Sequence, residues 1–169
     1  NMLSTIGYIN AVFELERDIV EGRLPAVPAK IYVPAGSGGT FIGILIGTKA
    51  IPMFSQTQII AVTAGSGRPT ALYSKHLADV LDYLDELSDG TFPEIDISEA
   101  ELHGILDRSY TGGEYGSITP KSEAAMAMTE RDELHLEPTY TAKTMARLID
   151  DVKLRRPDDQ HELWLYWHT

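Results

Sequence analysis

Short apolar runs alternate along this chain with longer stretches in which apolar residues recur at the spacing of a helix. The runs at 30–33 and 58–63 are rich in β-branched residues and predict buried strands. The stretches at 4–24, 41–47 and 70–87 predict helices, of which the second is apolar on all sides and therefore buried. Strands that alternate with helices indicate the α/β class, here a doubly wound, mainly parallel sheet with helices on both faces.

The second half of the chain shows clear helix starts. Thr119 suits the N-cap of a helix, and Pro120 suits its first turn. A further helix is predicted over 138–152, and the apolar, aromatic run at 163–169 predicts a last strand. The pattern at 101–107 is compatible with a short strand or with a helix.

The segment Ala35–Thr40 links the first predicted strand to the buried helix and reads Ala-Gly-Ser-Gly-Gly-Thr. Glycines let the backbone approach a ligand closely, and the N–H groups at a helix start attract an anion, so this arrangement is typical of a phosphate site. Ser37 and Thr40 add hydroxyl donors. No Gly-Lys-Ser/Thr sequence closes the loop, and Phe41 stands where a dinucleotide fingerprint has its third glycine. A tight turn without a ligand is the alternative.

Other polar features are weaker candidates. The loop 64–67 nearly copies the first glycine loop and Arg68 adds charge, but Pro69 removes one N–H donor. The acidic stretch 79–90 is typical of the solvated face of a helix. The five histidines show no metal-ligand spacing, and His168 stands out only because it ends the last predicted strand.

Composition narrows the functional classes. The net charge of −11 argues against a nucleic-acid partner. The absence of cysteine excludes disulfides, thiolate catalysis and cysteine-ligated metals within the chain. No apolar stretch reaches a membrane-spanning length and no signal peptide is visible, so the cytoplasm is the default location. The 169 residues fit one domain, and the start at Asn1 with an end directly after an apolar run leads us to expect a fragment of a longer chain.

Five segments in order resemble one family, the pyridoxal-phosphate enzymes of the D-cysteine desulfhydrase and 1-aminocyclopropane-1-carboxylate (ACC) deaminase group, which have the tryptophan-synthase β-like fold. Asn1–Tyr8 resembles the family's Asn-x-x-Gly-x-x-Gly-Tyr segment, with Ser4 in place of a glycine. Residues 35–40 resemble its phosphate loop, and residues 114–120 resemble its Gly-Tyr-Gly-x-x-Thr-Pro segment. Residues 137–143 resemble its Asp-Pro-Val-Tyr-Thr-Gly-Lys segment, and residues 168–169 resemble the start of its His-Thr-Gly-Gly segment.

The resemblance implies pyridoxal 5'-phosphate as cofactor and gives each matched residue a role. Five residues would hold the cofactor phosphate: Gly36, Ser37, Gly38, Gly39 and Thr40. Tyr115 and Tyr140 would flank the cofactor ring and the substrate as catalytic residues. Thr141 or Thr169 would lie near the pyridine nitrogen, where a neutral hydroxyl makes the ring a weaker electron sink and favours elimination or deamination. Thr141 stands where the deaminase branch has Glu, which favours the desulfhydrase branch.

The resemblance also implies what precedes this chain. The family's Schiff-base lysine lies in a Gly-Asn-Lys segment before the position of Asn1, and the six lysines here lie in other contexts. The chain would therefore be the C-terminal portion of the large cofactor-binding domain, inactive by itself, in an enzyme that acts on a small amino acid as a homodimer. The alternatives are a non-catalytic phosphate- or nucleotide-binding α/β domain and an inactive truncated homologue.

Overall fold

The computed structural model describes residues 2–65, 68–156 and 161–169. Within this part of the chain the strands form a four-stranded sheet of order β3-β2-β1-β4, in which all neighbours run parallel. The strands are β1 (Lys30–Ala35), β2 (Gln58–Thr63), β3 (Leu106–Asp107) and β4 (Trp164–Tyr166). The predicted α/β class with a parallel sheet is confirmed.

In the described residues one α-helix precedes these strands and five more connect them. They are α1 (Met2–Val20), α2 (Gly39–Ala50), α3 (Thr70–Leu87), α4 (Glu99–Ile105), α5 (Pro120–Thr129) and α6 (Thr141–Lys153). Short 3₁₀ turns lie at Pro52–Phe54 and Glu130–Asp132. No helix in the described ranges is long and apolar enough to cross a membrane.

The contacts divide the chain into two compact units. The first comprises the described residues of 1–27, 37–57 and 69–104, and therefore contains α1, α2 and α3. The second comprises those of 28–36, 58–68 and 105–169, and contains the whole sheet with α5 and α6. Each unit has its own buried residues and is described by itself.

In the first unit, α1 and α2 approach each other through glycines. A Cβ atom on Gly43 would lie 2.4 Å from the carbonyl oxygen of Thr5, and one on Gly47 would lie 2.7 Å from Cβ of Val12. The apolar residues of α2 are buried, as its sequence predicts. Any side chain at these two glycines would force the helices apart, because close-packed backbones have no room to absorb it.

In the second unit, β1 is an inner strand and is buried from Ile31 onwards. It pairs with β2 over its full length, from Lys30 opposite Gln58 to Ala35 opposite Thr63. Helix α6 packs against β1 and β2, and α5 packs against α6. A run of apolar β-branched residues with neighbours on both sides thus becomes the centre of the parallel sheet.

Several predicted boundaries agree with the structure and others do not. β2 and α3 begin and end where the pattern predicts, and Thr119 caps α5 by accepting a hydrogen bond from Ser122 N. The ambiguous stretch 101–107 contains the end of α4 and all of β3, so both alternatives are partly right. The last strand is shorter than predicted: β4 ends at Tyr166 because it pairs with β1 over only three residues.

Candidate functional site

The carboxyl ends of β1 and β2 bring backbone and tyrosine side chains together in the second unit. Gly36 follows β1 directly, and a Cβ atom there would lie 2.6 Å from Cε1 of Tyr140. Gly65 follows β2 after one residue, and its Cβ atom would lie 3.1 Å from both N and Cα of Tyr115. A side chain at Gly36 would displace the Tyr140 ring and one at Gly65 would press on the Tyr115 backbone, so glycine at both strand ends leaves room for the two tyrosines.

The two tyrosines form a hydrogen-bonded pair. The Tyr115 and Tyr140 hydroxyl oxygens are 2.7 Å apart, and the rings meet nearly edge to face with their centroids 5.9 Å apart. Tyr115 is 71% exposed, so the pair lies at the surface of the unit. One hydroxyl donates and the other accepts, and the accepting hydroxyl retains its own O–H group. Such a pair can hold or pass a proton.

Tyr140 is fixed by the way α6 begins. The Glu137 carboxylate accepts hydrogen bonds from the backbone N–H groups of Thr139 at 2.8 Å and of Tyr140 and Thr141 at 2.6 Å each. An anion at this position also complements the positive end of the helix dipole. Because Glu137 already binds these donors, the start of α6 is not where an external anion would bind.

The side chain of Thr141 is part of the same helix start. Its hydroxyl accepts from Glu137 N at 2.8 Å and donates to Glu137 O at 3.1 Å, and the residue is buried. The Thr141 carbonyl accepts a hydrogen bond from the Tyr166 hydroxyl at 2.9 Å. Burial raises the pKa of Tyr166, so this donor stays protonated. Thr141 is thus occupied in holding α6 against β4.

Lys143 is a buried cation that sequence reasoning did not assign to the site. Only 1% of its surface is exposed, and its Nζ donates to the carbonyls of Ala64 and Thr111 at 2.7 Å each. Burial lowers the pKa of the ammonium group, and the nearby Glu137 carboxylate opposes that effect. Its place in the segment 137–143 was the only signal that could have drawn attention to it.

The rest of the first glycine loop lies in the first unit, where it begins α2. Gly38 is the N-cap residue and has a φ of 110°, a backbone conformation that favours glycine, and no described side chain caps the helix there. A Cβ atom on Gly38 would lie 3.0 Å from the Tyr73 ring, and one on Gly39 would lie 3.3 Å from the Thr5 hydroxyl. Ser37 is exposed and Thr40 is half-buried.

The structure thus brings together some of the predicted site residues. Gly36, Tyr115, Tyr140 and Thr141 lie in one contact network of the second unit. Thr169 is exposed after β4, and its neighbour His168 lies with a ring nitrogen 3.2 Å from the His135 carbonyl. Of the second glycine loop, residues 66 and 67 lie outside the described residues. Among those described, no three histidine or acidic side chains gather as a metal site would require.

Comparison with known proteins adds two similarities over the whole chain. A D-cysteine desulfhydrase of Klebsiella pneumoniae is 26% identical over 170 residues, which cover 100% of this chain and 47% of that protein. A crystal structure of an ACC deaminase homologue superposes with a TM-score of 0.72 at 25% identity, over 100% of this chain and 46% of that one. The predicted resemblance is confirmed.

The D-cysteine desulfhydrase and the ACC deaminase homologue are both longer than this chain. This chain spans about half the length of each of these relatives. The α/β arrangement of its sheet and helices is shared with the ACC deaminase homologue. No family model matches the chain.

Proposed function

We propose that this chain supplies the cofactor phosphate site and the ring contacts of a pyridoxal-phosphate-dependent lyase or deaminase that acts on a small amino acid, as D-cysteine desulfhydrase does. The observation that carries the proposal is the similarity of the whole chain to a D-cysteine desulfhydrase, with the Tyr115–Tyr140 pair at the strand ends where parallel sheets bind ligands. This chain spans about half the length of that relative, so we propose the activity for the whole protein and not for this chain by itself.

The cofactor phosphate binds at the loop between β1 and α2. The residues that hold it are Gly36, Ser37, Gly38, Gly39 and Thr40. The loop suits an anion because α2 starts without a described side-chain cap, so its first N–H groups and the positive end of its dipole would hold a phosphate there. Glycine at 36 and 38 keeps the backbone close to neighbouring rings.

Tyr115 and Tyr140 orient the ring and the substrate and move a proton through their shared hydrogen bond. Pyridoxal phosphate, when bound, supplies an electron sink that stabilises negative charge on the substrate's α-carbon. Of the two candidate hydroxyls for the pyridine nitrogen, we assign the role to Thr169, since the Thr141 hydroxyl is buried and bound to Glu137. A neutral hydroxyl there favours elimination or deamination over chemistry that needs a fully protonated ring.

Absorbance spectroscopy of the full protein tests the cofactor. We expect a near-visible band from pyridoxal phosphate bound to a lysine, and release of sulfide from D-cysteine. Replacing Ser37 with Ala and Thr40 with Val together removes two hydroxyl donors to a charged phosphate, worth about 1.5–3 kcal/mol each. The cofactor dissociation constant should therefore rise at least about 100-fold. The matched pair Ser55→Ala with Thr57→Val should leave it unchanged.

The outcomes separate the alternatives. Binding of inorganic phosphate or a nucleotide without pyridoxal phosphate would favour a non-catalytic phosphate-binding domain. Binding of neither ligand by the full protein would indicate an inactive homologue. The resemblance further implies a homodimer, and we propose the cytoplasm as its location. The mass of the assembly in solution tests whether two copies of the full protein associate.

Replacing either tyrosine of the pair with Phe should slow turnover of D-cysteine by about 100-fold, since general acid–base groups contribute about 10²–10⁴-fold. The proton route fails in both variants, because each one removes a hydroxyl from the pair. Tyr83→Phe on α3 is the matched control and should change turnover by less than about twofold. Full activity in both Tyr115→Phe and Tyr140→Phe would remove the pair from the reaction.

A further inference from the structure

Lys143 is buried in a way that a lysine rarely is. Lysines are almost never fully buried unless they are paired, because an ammonium group loses its hydration. Lys143 is 1% exposed, and both of its hydrogen bonds in the described part of the chain go to backbone carbonyls. Hydrophobic packing alone does not require an ammonium at such a position. The placement of Lys143 therefore indicates that its role is to bind the carbonyls of Ala64 and Thr111.

The two carbonyls belong to the segments that carry the tyrosine pair. Ala64 comes directly before Gly65, where an added Cβ atom would lie 3.1 Å from the backbone N and Cα of Tyr115. Thr111 begins the loop that leads to Tyr115. Lys143 itself stands three residues after Tyr140 on the first turn of α6. One nitrogen atom thus joins three separate backbone segments that set where the two tyrosine hydroxyls meet.

The segment from Thr111 to Gly116 is rich in glycine and has backbone conformations that need support. Gly112, Gly113 and Gly116 all have positive φ, so the loop uses conformations that only glycine adopts easily. Glycine also loses the most conformational entropy when it becomes ordered, which makes such a loop costly to hold in one shape. The hydrogen bond from Lys143 to the Thr111 carbonyl anchors the start of the loop, four residues before Tyr115.

We propose that Lys143 is a positioning residue that sets the separation of the Tyr115 and Tyr140 hydroxyls by holding the carbonyls of Ala64 and Thr111. It touches neither tyrosine hydroxyl and acts through the backbone. The catalytic consequence of this role rests on the proposed function, but the placement of the tyrosines does not.

Fluorine NMR of the full protein labelled with 3-fluorotyrosine tests this placement without cofactor or substrate. Single Phe substitutions assign the resonances of Tyr115, Tyr140 and Tyr32. Tyr32 is the internal control, since its hydroxyl donates to Asp151 on the same helix at 2.6 Å. In Lys143→Met we expect the Tyr115 and Tyr140 resonances to shift and the Tyr32 resonance to stay. Lys153→Met, a lysine on the same helix that is mostly exposed, should move none of them.

Unchanged Tyr115 and Tyr140 resonances in a folded Lys143→Met protein would overturn the proposal. If that variant does not fold, proton exchange at the Lys143 ammonium in the wild-type protein tests the two carbonyl contacts on which the proposal rests. Two carbonyl acceptors and burial should slow exchange with water far below that of Lys153. Exchange as fast as at Lys153 contradicts the proposal. Failure to bind pyridoxal phosphate would refute the proposed function alone.

Discussion

Helix α6 carries two buried or half-buried cations one turn apart, and they are held in opposite ways. Lys143 is 1% exposed and donates to two backbone carbonyls. Arg147 has a side chain that is 25% exposed and donates through Nε to Asp107 at 2.6 Å and through a terminal nitrogen to Asp151. The first cation has neutral partners, and the second has two carboxylates.

The two cations differ because different hydrogen-bond acceptors of the sheet lie near each of them. Parallel strands that end together leave carbonyl groups at their carboxyl ends without strand partners, and Lys143 reaches one of these after β2. Arg147 instead meets Asp107, the last residue of β3 at the edge of the sheet. Carbonyl acceptors do not titrate and carboxylates do. The two hydrogen bonds of Lys143 are therefore made to acceptors that do not titrate, whereas those of Arg147 are made to acids.

Lys143→Met should cause the largest loss of stability. It leaves two buried carbonyls without a donor, at about 1–3 kcal/mol each, and removes the cost of burying a charge. We expect the free energy of unfolding to fall by about 2–4 kcal/mol in denaturant titrations. Lys153→Met should change it by less than about 0.5 kcal/mol. A loss at Lys143 no larger than that at Lys153 would mean that the carbonyl contacts are weak.

Arg147→Met should cost somewhat less. The substitution leaves Asp107 and Asp151 without the guanidinium, but both carboxylates keep some access to water, which reduces the penalty of an unpaired charge. We expect a loss of about 1–3 kcal/mol from the same titrations, with exposed Arg131→Met as the unaffected control. A loss larger than that of Lys143→Met would reverse the comparison.

Two other tyrosines, Tyr32 and Tyr110, donate to acids of α6 and extend the comparison to neutral donors. Tyr32 is fully buried and donates to Asp151, whereas half-buried Tyr110 donates to Asp150 at 2.7 Å, which Lys121 also binds. Tyr32→Phe should therefore lower the free energy of unfolding by about 1–2 kcal/mol and Tyr110→Phe by about 0.5–1 kcal/mol. Equal losses, measured as shifts of the denaturation midpoint, would show that burial does not decide the size of the effect.

Acid should weaken the contacts of Arg147 more than those of Lys143, and this is the smallest of the expected effects. Burial alone would raise the pKa of Asp107, but hydrogen bonds from Ser109 and Arg147 outweigh it and lower that pKa. The ionised Asp107 carboxylate therefore adds to the free energy of unfolding above its pKa in the unfolded chain, which is about 4. This contribution is lost as the pH falls through the lower pKa of the folded state. Between about pH 7 and about pH 3, the stability difference between wild type and Asp107→Asn should shrink.

Over the same pH range the difference between wild type and Lys143→Met should shrink less, because both hydrogen-bond acceptors of Lys143 are carbonyls and the Glu137 carboxylate acts on the ammonium only through space. Equal decreases in the two differences, measured by chemical denaturation at each pH, would show that a carboxylate supports Lys143 as strongly as Asp107 supports Arg147. Glu137 is then the residue to replace, since it is the acid that acts on the Lys143 ammonium.

Local patterns predicted much of the fold because the relevant forces act over short distances along the chain. Apolar periodicity gave the limits of β2 and α3, and the Thr119-Pro120 pair gave the start of α5. The run 163–169 was predicted too long, because an edge strand ends where its neighbour stops pairing, which no local pattern records. The stretch 101–107 was ambiguous because it changes from helix to strand at residue 106.

The candidate site also has features that the local sequence predicts and features that only long-range contacts decide. The sequence by itself determined the glycine loop, the tyrosines and the resemblance that assigned them roles, since short segments in order carry that information. Only the tertiary structure decided that Thr141 is bound to Glu137 and that Lys143 is buried on the carbonyls of Ala64 and Thr111. These contacts join residues up to 79 positions apart. Their energies depend on burial and on which acceptors the sheet leaves unpaired, and both are properties of the folded chain.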